Sequence, residues 1–365
     1  MTKKIKTLIA IGGTGGHVFP GLHLAEHLKQ NNYDVNLITD KRGFFFLKQN
    51  DNFQINILPS SPLIKKNIFR LSFSIFMILY SIFRSAVFLV LNRPKIIFGM
   101  GGYASFPICV AATILKIKFI IYENNLIIGK TNKILLPFAE KLYVSYKELE
   151  GVPKRFQSKI LVTGNIIKKD IINFYDNKGS NDNLNNLCIL ILGGSQAAKV
   201  FAEVLPEIFK ECLNSNIKIK IYQHCLPNQN ENLKKFYKDL NIEFEVFNFC
   251  NNLNNYFSKV NLAITRSGAS ILSELTNAKI PFISVPLPSS ADNHQLKNAI
   301  YYLKKNFGFL VEEKDLKDKL FLLIKEIYNN KDLLDKIINN QKQYSDKNVY
   351  NTIIENLKKT INEKN

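Results

Sequence analysis

An imidazole can take a proton from a hydroxyl near neutral pH, and His17 stands where that ability would be useful. It closes the stretch Gly12-Gly13-Thr14-Gly15-Gly16-His17, between the apolar run Lys6–Ile11 and an amphipathic segment that reads as a helix from about Pro20. Glycines let a backbone approach a ligand closely, and the N–H groups that open a following helix favour an anion. The stretch is not the dinucleotide fingerprint, which needs a glycine where Val18 stands. It is not a P-loop either, since no Gly-Lys-Ser/Thr follows.

Three further glycine turns follow apolar runs in the same way. Gly99-Met100-Gly101-Gly102-Tyr103 follows Lys95–Phe98 and leads to a helix from about Phe106. Gly193-Gly194-Ser195-Gln196 follows Leu187–Leu192 and leads to a helix running through Leu213. Arg266-Ser267-Gly268-Ala269-Ser270 follows Val260–Thr265 and leads to a helix from about Ile271. Any one of these could be a tight structural turn. Four at the ends of buried-type strands argue for ligands, because open α/β sheets bind beyond the carboxyl ends of their strands. Continuous apolar strands alternating with helices predict parallel sheets covered on both faces. The pattern restarts after the polar stretch 173–186, and 365 residues exceed what one core usually holds. The expected fold is therefore α/β, two doubly wound domains facing a cleft, with the chain crossing near Gly164–Lys168. From about Lys314 the chain reads as helical and charged.

Other residues suit a hydroxyl-rich ligand. Glu274 falls in the first turns of the fourth helix, where it could accept hydrogen bonds from a ribose diol or simply favour the helix dipole. Ser267 or Ser270 could cap that helix. Asp292, Asn293, His294, Gln295 and Asn298 are dense in donors and acceptors, as sugar binding requires. No Asp-x-Asp pair follows a strand, so no metal is expected to bridge a diphosphate. The charge of a leaving group would then fall to helix N-termini and basic side chains.

A formal charge of +19 points to an anionic partner, although only six of the 49 basic residues are arginines and lysine is spread along the chain. Five cysteines without a Cys-x-x-Cys pair suggest a reduced compartment, and the N-terminus does not read as a signal peptide. Residues 65–95 are strongly apolar with basic flanks at Lys65, Lys66, Arg93 and Lys95. On a helical wheel Arg70, Ser74, Ser81, Arg84 and Ser85 share one narrow face. Arg84 interrupts the run near where a bilayer centre would fall, so the segment reads as a helix lying on an anionic membrane surface and not spanning it.

Taken in order, "GGTGGHVFPGL", "GMGGYASFP", "YENNLIIGKTNK", "VTGNIIKKDI", "ILGGSQAAK", "RSGAS…SEL" and "VPLPSSADNHQLKNA" resemble the peptidoglycan glycosyltransferases that add N-acetylglucosamine to undecaprenyl-diphospho-muramoyl-pentapeptide, converting lipid I to lipid II. The resemblance covers nearly the whole chain. It implies the GT-B architecture of two Rossmann-like domains. Residues 1–165 with a C-terminal helix at about 347–363 would form the acceptor and membrane-associated domain, and 166–346 the UDP-N-acetylglucosamine domain. It further implies an inverting, metal-independent transferase with no cofactor and no nucleic-acid partner, on the cytoplasmic face of the bacterial plasma membrane.

The resemblance also implies individual roles. Thr14, Gly15 and Gly16 line the site beside sugar and acceptor, with His17 as general base or as a residue that positions the acceptor. Gly101, Gly102 and Tyr103 form the acceptor-diphosphate site. Asn125 contacts donor sugar or acceptor, and Lys168, Ser195 and Gln196 hold the donor diphosphate. The backbone of Cys250 reads uracil. Ala269, Ser270, Ile271, Leu272, Ser273 and Glu274 surround the nucleoside, with Glu274 on the ribose, and Gln295 meets the N-acetylglucosamine hydroxyls. The chain departs from the family pattern in places: Ile166, Ile167 and Lys168 stand for Pro-Val-Arg, so an arginine becomes Lys168, and Ala197 and Leu126 stand for glycines. Readings on the same fold, a UDP-N-acetylglucosamine 2-epimerase or a transferase with a soluble acceptor, would not need the apolar segment 65–95. A nicotinamide-dependent oxidoreductase would need the missing third glycine. A non-enzymatic basic protein would leave the four turns unexplained.

Overall fold

The apolar runs become strands buried on both faces, as parallel sheets sandwiched by helices require. The computed structural model describes residues 4–48, 50–60, 67–178, 186–194, 199–248, 250 and 252–362, and the chain divides into two compact units, Met1–Ile166 with Asn348–Asn365 and Ile167–Lys347. The first unit runs β1 (Ile5–Ala10), α1 (Gly15–Gln30), β2 (Tyr33–Thr39), α2 (Lys41–Phe45), β3 (Gln54–Ile57), α3 (Ile68–Asn92), β4 (Ile96–Gly99), α4 (Gly102–Ile114), β5 (Phe119–Glu123), α5 (Lys130–Leu135), β6 (Lys141–Val144) and β7 (Ile160–Val162). The second runs α6 (Lys169–Ile172), α7 (Phe174–Lys178), β8 (Leu187–Leu192), α8 (Lys199–Asn214), β9 (Ile219–His224), α9 (Asn230–Asp239), β10 (Glu243–Phe247), α10 (Asn254–Phe257), β11 (Leu262–Thr265), α11 (Ala269–Asn277), β12 (Phe282–Ser284), α12 (His294–Lys304), β13 (Phe309–Leu310), α13 (Leu316–Asn329) and α14 (Asp332–Lys342). The last helix, α15 (Val349–Asn362), belongs again to the first unit. There Tyr350 packs, tilted, against His27 of α1 at 4.5 Å between ring centroids, and Lys118 Nζ donates to Thr360 O.

Both sheets are parallel throughout. Their strand orders are β3-β2-β1-β4-β5-β6-β7 and β10-β9-β8-β11-β12-β13. In each, the order reverses between the first strand and the fourth, which is the switch point where doubly wound sheets bind ligands. The pairs there end in register, Ala10 beside Gly99 and Leu192 beside Thr265. The four glycine turns therefore leave the sheets as two adjacent pairs, one pair at each switch point.

Two helices begin earlier than the sequence suggests. Proline favours a first helical turn, which places the starts near Pro20 and Phe106-Pro107. In the structure α1 and α4 start at Gly15 and Gly102, with Pro20 and Pro107 inside them. A proline inside a helix cannot donate to the carbonyl four residues back. For Pro20 that carbonyl belongs to Gly16, and Asn124 Nδ2 donates to it at 2.9 Å instead. A residue of the "ENN" motif thus supplies the bond that proline withholds. The start of α11 also differs from expectation. Gly268 is its N-cap, and neither Ser267 nor Ser270 makes a side-chain cap.

α3 turns a serine stripe and Leu89 inward and a broad apolar face outward. Ser74, Ser81 and Ser85 are buried on the face that meets the domain, and Ser74 and Ser81 donate back to Arg70 O and Met77 O within the helix. Small hydroxyl side chains let α3 lie close on α4. Phe69, Phe73, Phe76, Leu79, Phe83 and Leu91 are exposed on the opposite side. Arg70 and Arg84, predicted to share the serine face, are exposed at its rim.

Close packing of α1 on β1 depends on Gly21, where a Cβ would lie 2.0 Å from Ile11 Cγ2 and 3.1 Å from Met100 Cγ. Gly21→Ala is expected to destabilise the chain by up to about 2 kcal/mol, an overpacking cost of about 1–3 kcal/mol less alanine's helix preference of about 1 kcal/mol. A lower urea midpoint at unchanged slope is the expected measurement.

Candidate functional site

The switch point of the first unit is built on contact between its two glycine turns. A Cβ on Gly12 would lie 2.4 Å from Ala104 Cβ, and one on Gly102 would lie 3.5 Å from Gly12 O. Gly101 and Gly102 both have positive φ, +90° and +72°, so side chains there would be strained as well as crowded. The space they leave is filled by His17. A Cβ on Gly101 would come 3.0 Å from His17 Cε1, and one on Gly102 would come 3.3 Å from Cδ2. The imidazole lies along the second turn, half-buried, and the backbone N–H of His17 donates to Thr14 O at 3.1 Å. Thr14 and Gly16 are exposed, Gly15 is buried and Tyr103 is exposed.

Residues that sequence reading missed hold these turns. Asp40 is 4% exposed at the end of β2. Its Oδ1 accepts the N–H groups of Gly13 at 3.0 Å and Gly43 at 2.8 Å, and its Oδ2 accepts from Arg42 and Ser60. Burial alone would raise its carboxyl pKa, but the two backbone N–H groups and Arg42 outweigh burial and hold it below the ordinary value. Position was the available signal, since Asp40 directly follows a parallel strand. Glu123, 3% exposed at the end of β5, gathers the "ENN" loop. It accepts from Asn125 N and Nδ2, Gly129 N and Asn132 Nδ2 at 2.8–3.1 Å. Asn125, the residue singled out from the sequence, is therefore turned onto Glu123 and Asn124, and Asn124 reaches the first glycine turn. Leu126 has no positive φ and is buried, so its backbone does not require the family's glycine.

In the second unit the Arg266–Ser270 turn is clamped from α12. Gln295 Oε1 accepts from Ser267 N at 3.2 Å and Leu287 N at 3.0 Å, and Asn298 Nδ2 donates to Ser267 O at 3.1 Å. Part of the polar cluster expected to meet sugar hydroxyls thus shapes the turn. Arg266, buried, donates to Val285 O and Pro286 O, pairs with Glu313 and lies 5.0 Å from the Phe201 ring of α8. It ties together the strand ends and helix that surround the turn.

The predicted nucleoside segment divides by face. Leu272 and Ser273 are fully buried and Ala269 nearly so, and Ser273 Oγ donates to Asp346. Ser270, Ile271 and Glu274 are half-buried on the other side. The side chains of Leu272 and Ser273 therefore pack into the interior of the second unit. Lys168 lies 3.3 Å from Asp170 and acts electrostatically on Glu274. Cys250 is half-buried, and burial raises its thiol pKa. Ser195, Gln196 and Ala197, with Lys65 and Lys66, lie outside the described residues.

Two Rossmann-like sheets, each with a pair of glycine turns at its switch point, define the GT-B fold. Residues 7–144 match the glycosyltransferase family 28 N-terminal domain, and residues 188–353 match the family 28 C-terminal domain. The chain is 37% identical over 365 residues, 100% of both sequences, to the UDP-N-acetylglucosamine–N-acetylmuramyl-(pentapeptide) pyrophosphoryl-undecaprenol N-acetylglucosamine transferase of Pelagibacter ubique. The crystal structure of Acinetobacter baumannii MurG superposes with a TM-score of 0.76 at 24% identity, covering 97% of this chain and 99% of that one. The UDP-GlcNAc 2-epimerase of Neisseria meningitidis bound to UDP-GlcNAc shares the fold at a TM-score of 0.64 and 16% identity, over 97% and 100% of the two chains. The fold is thus common to transferases and epimerases, and full-length identity separates them. The chain belongs to glycosyltransferase family 28, among the N-acetylglucosamine transferases that carry the Pelagibacter protein's name.

Burial pushes the Glu274 carboxyl from 4.5 up to about 8, with Lys168 pulling it down. Between those values the folded chain keeps a proton that the unfolded chain has lost, so this residue makes stability fall as pH rises through that window. Glu274→Gln abolishes the titration. Melting curves at pH 5 and pH 8 are expected to show the variant losing less stability than the parent over that interval.

Proposed function

We propose that this chain transfers N-acetylglucosamine from UDP-N-acetylglucosamine to the C4 hydroxyl of the muramoyl sugar of undecaprenyl-diphospho-muramoyl-pentapeptide, forming the β-1,4 linkage of lipid II. The observation that carries the reading is the seat of His17 across Gly101 and Gly102, in a chain that aligns end to end with a transferase of that printed activity. The acceptor's C4 oxygen attacks the anomeric carbon, His17 takes its proton, and the bond from that carbon to the UDP oxygen breaks with inversion. Charge on the departing UDP is met by the N-terminus of α8, by the Arg266–Ser270 turn and by Lys168. Glu274 accepts from the ribose diol, which favours its ionised form and offsets the effect of burial. Gly101, Gly102 and Tyr103 face the acceptor.

The outward apolar side of α3 supports work at a membrane surface. With its serine face packed on α4 and Arg84 in mid-helix, α3 suits lying on a bilayer surface better than spanning it. The exposed Phe69, Phe73, Phe76, Leu79 and Phe83, with Arg70 and Arg84 at the rim, suit shallow insertion among anionic head groups. The protein is read as peripheral, on the cytoplasmic face of the bacterial plasma membrane.

Labelled transfer from UDP-N-acetylglucosamine to a lipid I analogue tests the activity, with UDP-glucose as control donor. His17→Ala should lower kcat about 100-fold or more while UDP binding is kept. Equal turnover would remove His17 as the base. Substituting Phe73, Phe76 and Phe83 together by Asp should abolish co-sedimentation with anionic vesicles and spare transfer to a short-chain soluble acceptor. Retained vesicle binding would overturn the role of α3.

A further inference from the structure

The glycine turns of the first unit offer backbone N–H groups but no formal positive charge, whereas the acceptor of the proposed reaction carries a pyrophosphate. Arg42 stands beside both turns. Its Nη2 lies 3.9 Å from where a Cβ on Gly13 would be, and its guanidinium carbon lies 5.8 Å from the Tyr103 ring centroid. Gly13 belongs to the first turn and Tyr103 to the second, so this side chain, which the sequence does not single out, bridges the two.

The ion pair that holds Arg42 is lopsided. Asp40 is 6% exposed at its side chain and saturated, with two backbone N–H groups, the Ser60 hydroxyl and the arginine all donating to it. Arg42 is 55% exposed. It gives Asp40 its Nε–H at 3.2 Å and one Nη2–H at 3.1 Å, two of the roughly five N–H donors of a guanidinium. A pair serving stability alone gains little when one partner is this exposed. A planar fork anchored along one edge and open along the other is instead pre-organised for a second anion, so less side-chain entropy is lost on binding. Asp40 also holds the N–H of Gly13, so one carboxylate fixes both the turn and the cation beside it.

We propose that Arg42 binds the pyrophosphate of the lipid-linked acceptor and that Asp40 is the positioning residue that aims it. This rests on the acceptor-side reading of the first unit given above. Phosphate oxygens take the open edge of the guanidinium while Asp40 keeps the other, and Tyr103 supports the guanidinium face.

The test is steady-state transfer with a lipid I analogue, varying acceptor and donor separately. Arg42→Ala is expected to raise acceptor KM about 10-fold to 100-fold, the effect of losing a charge-assisted pair, with donor KM within about twofold of the parent. Arg42→Lys, which keeps charge but loses the fork, should fall between. Inorganic pyrophosphate should compete with acceptor in the parent and several-fold more weakly in Arg42→Ala. Asp40→Asn should raise acceptor KM less than Arg42→Ala does, and the double variant should be no worse than Arg42→Ala, because Asp40 acts through Arg42. Unchanged acceptor KM in both Arg42 variants, with the parent active, overturns the inference and leaves the transferase reading standing. A parent that transfers nothing to the lipid I analogue overturns that reading itself. Should Arg42→Ala melt well below the parent, Arg42→Lys and pyrophosphate competition decide the matter. Additive losses in the double variant would reduce Asp40 to a fold-holding role.

Discussion

Two turns can share the end of adjacent parallel strands only if almost nothing projects from either toward the other. In the first unit that condition falls on Gly12, Gly101 and Gly102, whose missing side chains leave room for Ala104, a backbone carbonyl and the His17 ring. The position of the imidazole follows from this. It is held by its place in the first turn of α1 and by the surface that the second turn presents to it. The carbonyl of Gly16, deprived of its helical partner by Pro20, is bonded by Asn124 and draws the "ENN" loop to the same place. Glycine, proline, histidine and asparagine from three distant stretches thus satisfy one another's steric and hydrogen-bonding needs.

The second unit meets the same requirement with polar clamps. Its Arg266–Ser270 turn is held through both backbone groups of Ser267, by Gln295 and Asn298, and the strand ends around it are drawn together by buried Arg266. Buried polar atoms of this kind are costly unless paired. Their pairing here fixes the turn in one conformation and leaves Ser270, Ile271 and Glu274 on the outward side of α11. The burial that raises Glu274 comes with that placement.

Much of the site was legible because glycine turns after buried strands are local features. Residues 187–192 form the strand expected of them, and all four turns close strands of the two sheets. Helix starts were misjudged where proline, ordinarily a first-turn residue, sits deeper and a distant asparagine compensates. The facing of α3 was partly legible. Its serine stripe could be drawn on a wheel, but that the serines point inward depends on α4 being there to receive them. Asp40 and Arg42 were missed because they belong to no glycine motif and become part of the site only where β2 ends beside β1.

The sequence by itself determined the two parallel α/β units, the four turns at their strand ends and the identity of His17 and Glu274 as candidate groups. These are recorded in hydrophobic runs and in residue types with special backbone freedom, which act over a few residues. Tertiary structure decided which turns become neighbours, which of Asn124 and Asn125 reaches the first turn, which face of α11 is free, and which charges stand beside the glycines. Those outcomes depend on strand order and on pairings between residues tens of positions apart. An apolar run records that a strand is buried, but not which strand lies beside it.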